Sequence, residues 1–450
     1  MEELDEELWK LGIYACTEHN EVAPCQHELA PGYTTVNLAA DQNQLTMELM
    51  KKVAGRHGLV CLLHEKPFDH VNGSGKHNNW SLSADGKNLL KPGDKPFENT
   101  VFLLFLAAIV TAVDEYQDLL RITTAIPAND RRLGGNEAPP SVISVFLGED
   151  LTAMLEAVEQ KKPYAPARRA NMRTGVHVLP TLSQDQSDRN RTSPFAFTGN
   201  KFEFRMLGSS QSISDVNTIL NTAVASVLAR FAERLRDKKD IEVTARRLIR
   251  EAYRDHKRIV FNGTNYSTEW KEEAVRRGLC ILPSAADAIP HLVDEKNLRL
   301  FGRMGIFSET ELRSRCAIML ENYCKVLRIE ARTMLDMTRR RFLPAVIRYG
   351  AELAEAAAAK ARLGLADCPE QALAAELNGD AKEICAAADR MDTLLGELTE
   401  TDPAALASAY RAELVPAIDT LRACVDRAEL RTAADRWPVP TYGDILFYKD

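Results

Sequence analysis

The chain has 450 residues, 45% of them hydrophobic and 27% charged, with a formal net charge of -7 at neutral pH. That length suits two or three domains around a sizeable core, and the acidic balance excludes a general electrostatic attraction to nucleic acid or anionic lipid. Nine scattered cysteines without a Cys-x-x-Cys pair suit reduced thiols better than a disulfide framework or a structural zinc site. The opening Met1-Glu-Glu-Leu-Asp-Glu-Glu7 lacks the basic residues of a signal or transit peptide. A cytoplasmic location is therefore expected.

In chain order, Val60 to Leu63 is a continuous apolar run that Lys66-Pro67 soon ends, the pattern of a buried strand. Asn99 is placed to cap a helix reaching about Leu120. Its apolar stretch, Val101 to Val113, is too short to span a bilayer and reads as a buried core helix. From Ser212 the texture turns helical, with one helix from Ser214-Asp215 to about Arg236 and another from Lys238 to Tyr253. A looped region follows, containing Asn262-Gly263 and Trp270. Beyond Ser308 the chain reads as long packed helices broken near Gly364 to Pro369, Asn378-Gly379 and Thr401 to Pro403. The closing Trp437-Pro-Val-Pro-Thr-Tyr442 is expected to dock back onto the body. The division by texture falls between Leu207 and Ser212, the part from about Tyr14 to Leu207 being rich in Gly, Pro, Asn and His.

Four segments in the first part concentrate chemistry. In His19-Asn-Glu21-Val-Ala-Pro-Cys-Gln-His-Glu28 the carboxylates lie seven positions apart, on opposite faces of an unbroken strand. A bend or bulge at Pro24 would return both to one side, where convergent carboxylates suit a hard divalent cation such as Mg²⁺. In Val71-Asn72-Gly73-Ser-Gly-Lys-His77-Asn-Asn79-Trp-Ser81-Leu82, two glycines permit close ligand approach, and His77, Asn79 and Ser81 then share one strand face. The spacing is not that of a phosphate-binding P-loop. Asn129-Asp-Arg131-Arg132-Leu-Gly-Gly-Asn-Glu137 reads as a mobile charged flap. Asp188-Arg-Asn-Arg191 is followed by Lys201-Phe-Glu203-Phe-Arg205-Met206, in which Lys, Glu and Arg face one way and the apolar residues face the core. Each segment alone also fits an ordinary solvated surface. Together they supply carboxylates and an imidazole for metals and Arg and Lys for anions, an inventory that fits phosphoryl transfer onto a carboxylate.

In wording and order the four segments resemble the active-site motifs of glutamine synthetases, and of the type III class in particular. The resemblance runs from about Leu8 to the end. It implies an α+β fold in which a curved antiparallel sheet, an incomplete barrel, forms the catalytic domain over 1–236, with a long all-helical C-terminal region over 237–450. It implies two Mg²⁺ or Mn²⁺ ions per site, with Glu21 and Glu28 holding the first and His77 and Glu203 the second. Asn72 and Gly73 would line the glutamate site, with Arg132 and Arg205 gripping its carboxylates. Asn79, Ser81 and Lys201 would lie along ATP, the co-substrate. Arg191 would stabilise the phosphoryl group in transfer, and Glu137 would sit on the closing flap. The implied partners are glutamate, ammonium, ATP and further copies of the chain in a ring, with neither nucleic acid nor membrane.

Departures accompany the resemblance. Met1 stands about twenty residues before Glu21, where the family has a further domain and a strand that adds one Glu to each metal. Cys25 replaces a small residue, and Arg131 stands where the class has His. By this count each metal keeps two protein ligands. The alternative expectation is a truncated, catalytically impaired subunit or pseudo-enzyme that binds nucleotide or assembles with full-length copies. A ligase acting on a different amine is a third reading.

Overall fold

A computed structural model describes residues 1–164, 171–172, 182–183, 192–365 and 367–447. The chain forms two compact units, one of Met1–His19 with Glu28–Arg313, the other of Asn20–His27 with Ser314–Asp450.

The first unit opens with α1 (Glu2–Lys10), β1 (Ala15–Asn20), β2 (His27–Pro31) and α2 (Val36–Arg56). Leu4, Leu8 and Ile13 pack with Val53 of α2 into a small apolar cluster. The run Val60 to Leu63 is not the buried strand expected of it. It has no strand pairing, and Val60 is 81% exposed. An apolar run marks a strand only where a ladder partner is available, and none among the described residues lies beside this one.

The central sheet runs in the order β3-β10-β9-β6, made of β3 (Gly75–Trp80), β6 (Val145–Phe146), β9 (Phe195–Phe197) and β10 (Phe202–Gly208). Short ladders β4 (Ser83–Ala84) with β5 (Lys87–Asn88) and β7 (Asn171–Met172) with β8 (Leu182–Ser183) stand apart. The expected antiparallel pairing holds for β3, β10 and β9, whereas β6 joins β9 in parallel, so the sheet is mixed. Phe202, Phe204 and Met206 are fully buried, as the alternation predicts. Phe195 stacks on Phe202 with ring centroids 4.6 Å apart, and Phe102 of α3 (Thr100–Glu115) meets Phe197. Each such ring contributes about 2 kcal/mol on burial.

Asn99 caps α3, its side chain accepting from the Phe102 N–H at 3.1 Å. The helix stops at Glu115 rather than near Leu120. Gln117 turns its amide back to the Asp114 carbonyl at 2.9 Å, and α4 (Gln117–Ile122) begins afresh. The expected Ser214 helix is α7 (Ser214–Leu235). The next begins later than expected, as α8 (Ile241–His256), because Asp240 caps it by accepting from the Val243 N–H. α7 and α8 both pack on α3. Between α4 and α7 lie α5 (Pro127–Arg132) and α6 (Glu149–Gln160). Trp270 lies in a helix, α9 (Thr268–Arg276), which Ser267 caps. Two short helices, α10 (Ala285–Ala288) and α11 (Glu295–Met304), complete the unit up to α12 (Glu309–Met337).

The second unit is built from α12, α13 (Leu343–Arg362), α14 (Pro369–Glu397), α15 (Pro403–Ala409), α16 (Val415–Arg431) and α17 (Tyr442–Leu446). Turns of π-helix at Thr338–Phe342 and Tyr410–Leu414 precede Pro344 and Pro416. Proline has no N–H for the usual ladder, and widening the turn accommodates it without ending the helix. No break occurs at Asn378-Gly379. Leu377 and Asp380 on either side are buried, and Asp380 receives Arg427 and Arg431 of α16 at 2.8 and 2.7 Å. That packing outweighs the roughly 1 kcal/mol a mid-helix glycine costs. The closing segment docks as expected, with Trp437 stacked on Phe342 at 5.2 Å. Among the described residues, no helix is long and apolar enough to cross a membrane.

Candidate active site

The site is assembled on one face of β3 and β10. Glu203 lies directly opposite Asn79, and Phe204 opposite Asn78, but Leu207 next pairs with Lys76. Two residues, Arg205 and Met206, thus face the single His77, which is a β-bulge. His77 Nδ1 stands 3.1 Å from Glu203 Oε1. On the other carboxylate oxygen, Arg205 donates from Nη2 at 2.9 Å and from Nε at 3.2 Å. Burial pushes the Glu203 carboxyl up, but the His77 hydrogen bond and the Arg205 charge outweigh it and hold the group down at about 2. Glu203 is therefore ionised at neutral pH.

Arg132 binds the backbone at the bulge, where Asn129 Nδ2 also donates to the Met206 carbonyl at 2.9 Å. The Arg132 guanidinium donates to Met206 and Leu207 from Nη1 at 3.3 and 3.2 Å, and to Arg205 from Nη2 at 3.2 Å. Burial lowers its pKa to about 10, with Glu65 opposing the change. Arg132 sits directly behind the glycine-rich loop. A Cβ on Gly75 would lie 2.0 Å from Arg132 Nη2, and one on Gly73 would lie 2.6 Å from the Glu65 carbonyl and 2.9 Å from Arg132 Cγ. Neither glycine has a positive φ. Close packing is what requires glycine here.

The flap follows α5. Gly134 (φ +80°) and Glu137 (φ +58°) take left-handed conformations, and the Gly134 N–H donates to the Pro139 carbonyl at 3.0 Å. Glu137 Oε2 accepts from Asn72 Nδ2 at 2.8 Å, joining the flap to the loop. At the far end of β3, Ser81 Oγ donates to Asn88 Oδ1 and to the Asn200 carbonyl, both at 3.0 Å. That carbonyl belongs to the β9–β10 turn, where Gly199 has φ +89° and Lys201 follows at once. Ser81 and Lys201 thus share one end of the sheet, with Asn79 exposed on β3. Arg191 lies outside the described residues.

In the 19–28 segment, β1 and β2 form a hairpin, and the reversal is made at Pro24 as expected, in a turn that the Gln26 N–H closes on the Ala23 carbonyl at 3.2 Å. The Glu21 N–H donates to the Gln26 carbonyl at 2.9 Å, and Cys25 takes φ +55°. His19 Nε2 is 3.1 Å from Glu28 Oε2. The donor chemistry fits the implied ions. Carboxylates with an imidazole suit Mn²⁺ or Mg²⁺, with water completing the shell.

Sequence reasoning gave His19 no role, and it missed Glu65, Asn78 and Asn217. Asn78 and Asn217 exchange side-chain hydrogen bonds at 3.1 and 3.2 Å behind β3. The strand alternation put Asn78 on the buried face, where a polar residue needs a partner, and that was the available signal. Glu65, 1% exposed, carried none beyond its place after an apolar run.

An imidazole, an ionised carboxylate and a guanidinium stand together beside a glycine-rich loop, a donor set whose chemistry suits a divalent cation and anions. The glutamine synthetase catalytic-domain model matches residues 1–173, and the glutamine synthetase C-terminal-domain model matches residues 244–361. The chain belongs to the glutamine synthetase family. It is 44% identical to the glutamine synthetase of Butyrivibrio fibrisolvens, over 99% of this chain and 64% of that protein. It is 40% identical to the type-3 glutamine synthetase of Dictyostelium discoideum, over all of this chain and 63% of that one. With the Bacteroides fragilis glutamine synthetase the figures are 38%, the whole chain and 64%. The chain thus spans just under two thirds of the length of these curated relatives. Lys201, Glu203 and Arg205 fall between the two matched family spans but within the alignment to the full-coverage relatives.

Proposed function

We propose that the chain catalyses ATP-dependent ligation of ammonia to glutamate. One observation carries the reading: His77, Glu203 and Arg205 converge on one sheet face beside Asn72 and Gly73 in a chain of this family. An oxygen of glutamate's side-chain carboxylate attacks the γ-phosphorus of ATP, and ADP leaves. Ammonia then attacks the acyl carbon of the γ-glutamyl phosphate, phosphate leaves and a proton is lost.

Divalent ions held by Glu21 with Glu28 and by His77 with Glu203 would supply charge neutralisation for the phosphoryl oxygens when bound. Asn72 and Gly73 line the glutamate site, and Arg132 and Arg205 provide positive charge toward its carboxylates. Asn79, Ser81 and Lys201 lie along the nucleotide, and Arg191 offsets charge on the transferring group. Glu137 closes with its flap, supported by the Asn72 bond, and keeps water from the acyl phosphate. We further propose that the sheet belongs to a curved, incomplete barrel, and that residues 1–236 form the catalytic part and 237–450 the helical part. On the same reading the protein is a cytoplasmic ring of identical copies.

The test is glutamine formation by the purified 450-residue chain with ATP, Mg²⁺, glutamate and ammonium, beside Glu203→Ala. Turnover that disappears in the variant supports the reading. Nucleotide binding without turnover in the wild type would overturn it in favour of an impaired, assembling subunit.

A further inference from the structure

Behind the glycine-rich loop lies a charged cluster whose central carboxylate none of the roles above uses. Glu65 is its centre. Its Oε1 accepts from the Ser210 N–H at 2.9 Å and from Ser210 Oγ at 2.6 Å, and its backbone carbonyl accepts from the Ser74 N–H at 2.8 Å. The same residue therefore grips the loop through its main chain and the end of β10 through its side chain. The fit leaves no slack: a Cβ on Gly208 would lie 2.3 Å from Glu65 Oε1.

Two cations feel the charge of this carboxylate, half-buried Lys76 and buried Arg132. Lys76 donates to the Gln211 carbonyl and, at 3.0 Å, to Met47 Sδ. The Glu65 charge acts on Lys76 as it does on Arg132. A single carboxylate thus balances Lys76 on the strand that follows the loop and Arg132 at the base of the flap. Buried charges need such a counter-charge.

We propose that Glu65 is a positioning residue for the glutamate subsite. It fixes the Asn72–Gly75 loop against the Ser209–Ser210 turn, so that Asn72 and Gly73 are held ready for glutamate and Asn72 stays within reach of Glu137. This rests on the reading that Asn72 and Gly73 line that subsite. Glu65 touches neither substrate nor nucleotide. Its loss is felt in glutamate binding and not in binding at the Ser81–Lys201 end of the sheet.

The test is calorimetric titration of glutamate and, separately, ADP with Mg²⁺ into the 450-residue chain and into Glu65→Gln, Glu65→Asp and Ser210→Ala. Glu65→Gln keeps the shape and loses the charge, and it is expected to weaken glutamate by about tenfold or more. Glu65→Asp keeps the charge and recovers part of that loss. Ser210→Ala removes one donor and costs about fivefold. ADP affinity stays within about twofold in all three, as separate subsites require. Unchanged glutamate affinity in a folded Glu65→Gln overturns the proposal, as does an equal loss of both ligands. Should Glu65→Gln fail to fold, unchanged glutamate affinity in both other variants overturns it. Wild-type chain that binds ADP but no glutamate removes the underlying site reading, and this proposal with it.

Discussion

The Asn72 side-chain amide donates to the Glu137 carboxylate at 2.8 Å, so the glycine-rich loop and the Gly134–Glu137 flap segment are bonded to each other. Glu137 holds a left-handed backbone conformation to make this contact. For a residue other than glycine that conformation costs of order 1 kcal/mol, and the surrounding bonds must repay it.

Asn72→Ala is expected to uncouple the two halves of the reaction. Removing one charge-assisted bond frees the flap by a factor of about ten. Acyl phosphate is then lost to water, and the phosphate released per glutamine formed rises well above one. Measuring both products in one assay checks this. A ratio that stays at one rejects a closing role for the bond.

Gly75→Ala is expected to destabilise the protein by about 2 kcal/mol or more, because the new methyl would stand 2.0 Å from the Arg132 guanidinium. Gly134→Ala meets no neighbour within 4 Å, and its cost is the backbone strain at φ +80° alone, about 1 kcal/mol. Thermal unfolding of the two variants side by side tests the order.

Asn78→Ala leaves the Asn217 amide buried without its reciprocal partner and is expected to cost about 2 kcal/mol. A double Asn78→Ala, Asn217→Ala variant should lose less than the sum of the two single ones. Strictly additive losses would show that the pair is not coupled.

In the helical unit, Asp380 is buried between Arg427 and Arg431. Burial raises its carboxyl, but the two guanidinium hydrogen bonds prevail and hold it below its ordinary value of 3.8. A depressed carboxyl contributes stability that is fully present above the unfolded value and is lost as pH falls through the folded one. Asp380→Asn is therefore expected to lower stability by about 2 kcal/mol at pH 7. The gap between variant and wild type closes below pH 3.8. Denaturant unfolding at both pH values measures the gap.

Much of this was legible from local chemistry. The alternation Phe202, Phe204, Met206 against Lys201, Glu203 gave the two faces of β10, because side-chain direction in a strand follows from spacing alone. Asn99 and Thr401 to Pro403 marked helix boundaries through capping and proline geometry. Other features depend on partners distant in sequence. The exposed Val60 run lacked a ladder neighbour, and α14 crossed Asn378-Gly379 because Arg427 and Arg431, nearly fifty residues on, hold Asp380. The bulge opposite His77 left no trace in the period-two pattern, since residues on both sides of it are apolar and buried. With the bulge hidden, neither the buried position of Arg132 nor the packing of Gly73 and Gly75 could be foreseen.

That extra residue in β10 gives the strand an unusual kind of sensitivity. Deleting Arg205 or Met206 would restore an even ladder, remove a carbonyl that Arg132 uses, and draw the Gly208–Ser210 turn one position along, away from Glu65. Replacing a side chain in this stretch changes one contact. Changing the number of residues by one shifts the His77–Glu203 face, the flap base and the loop anchor together, so the length of this strand is held more tightly than its composition.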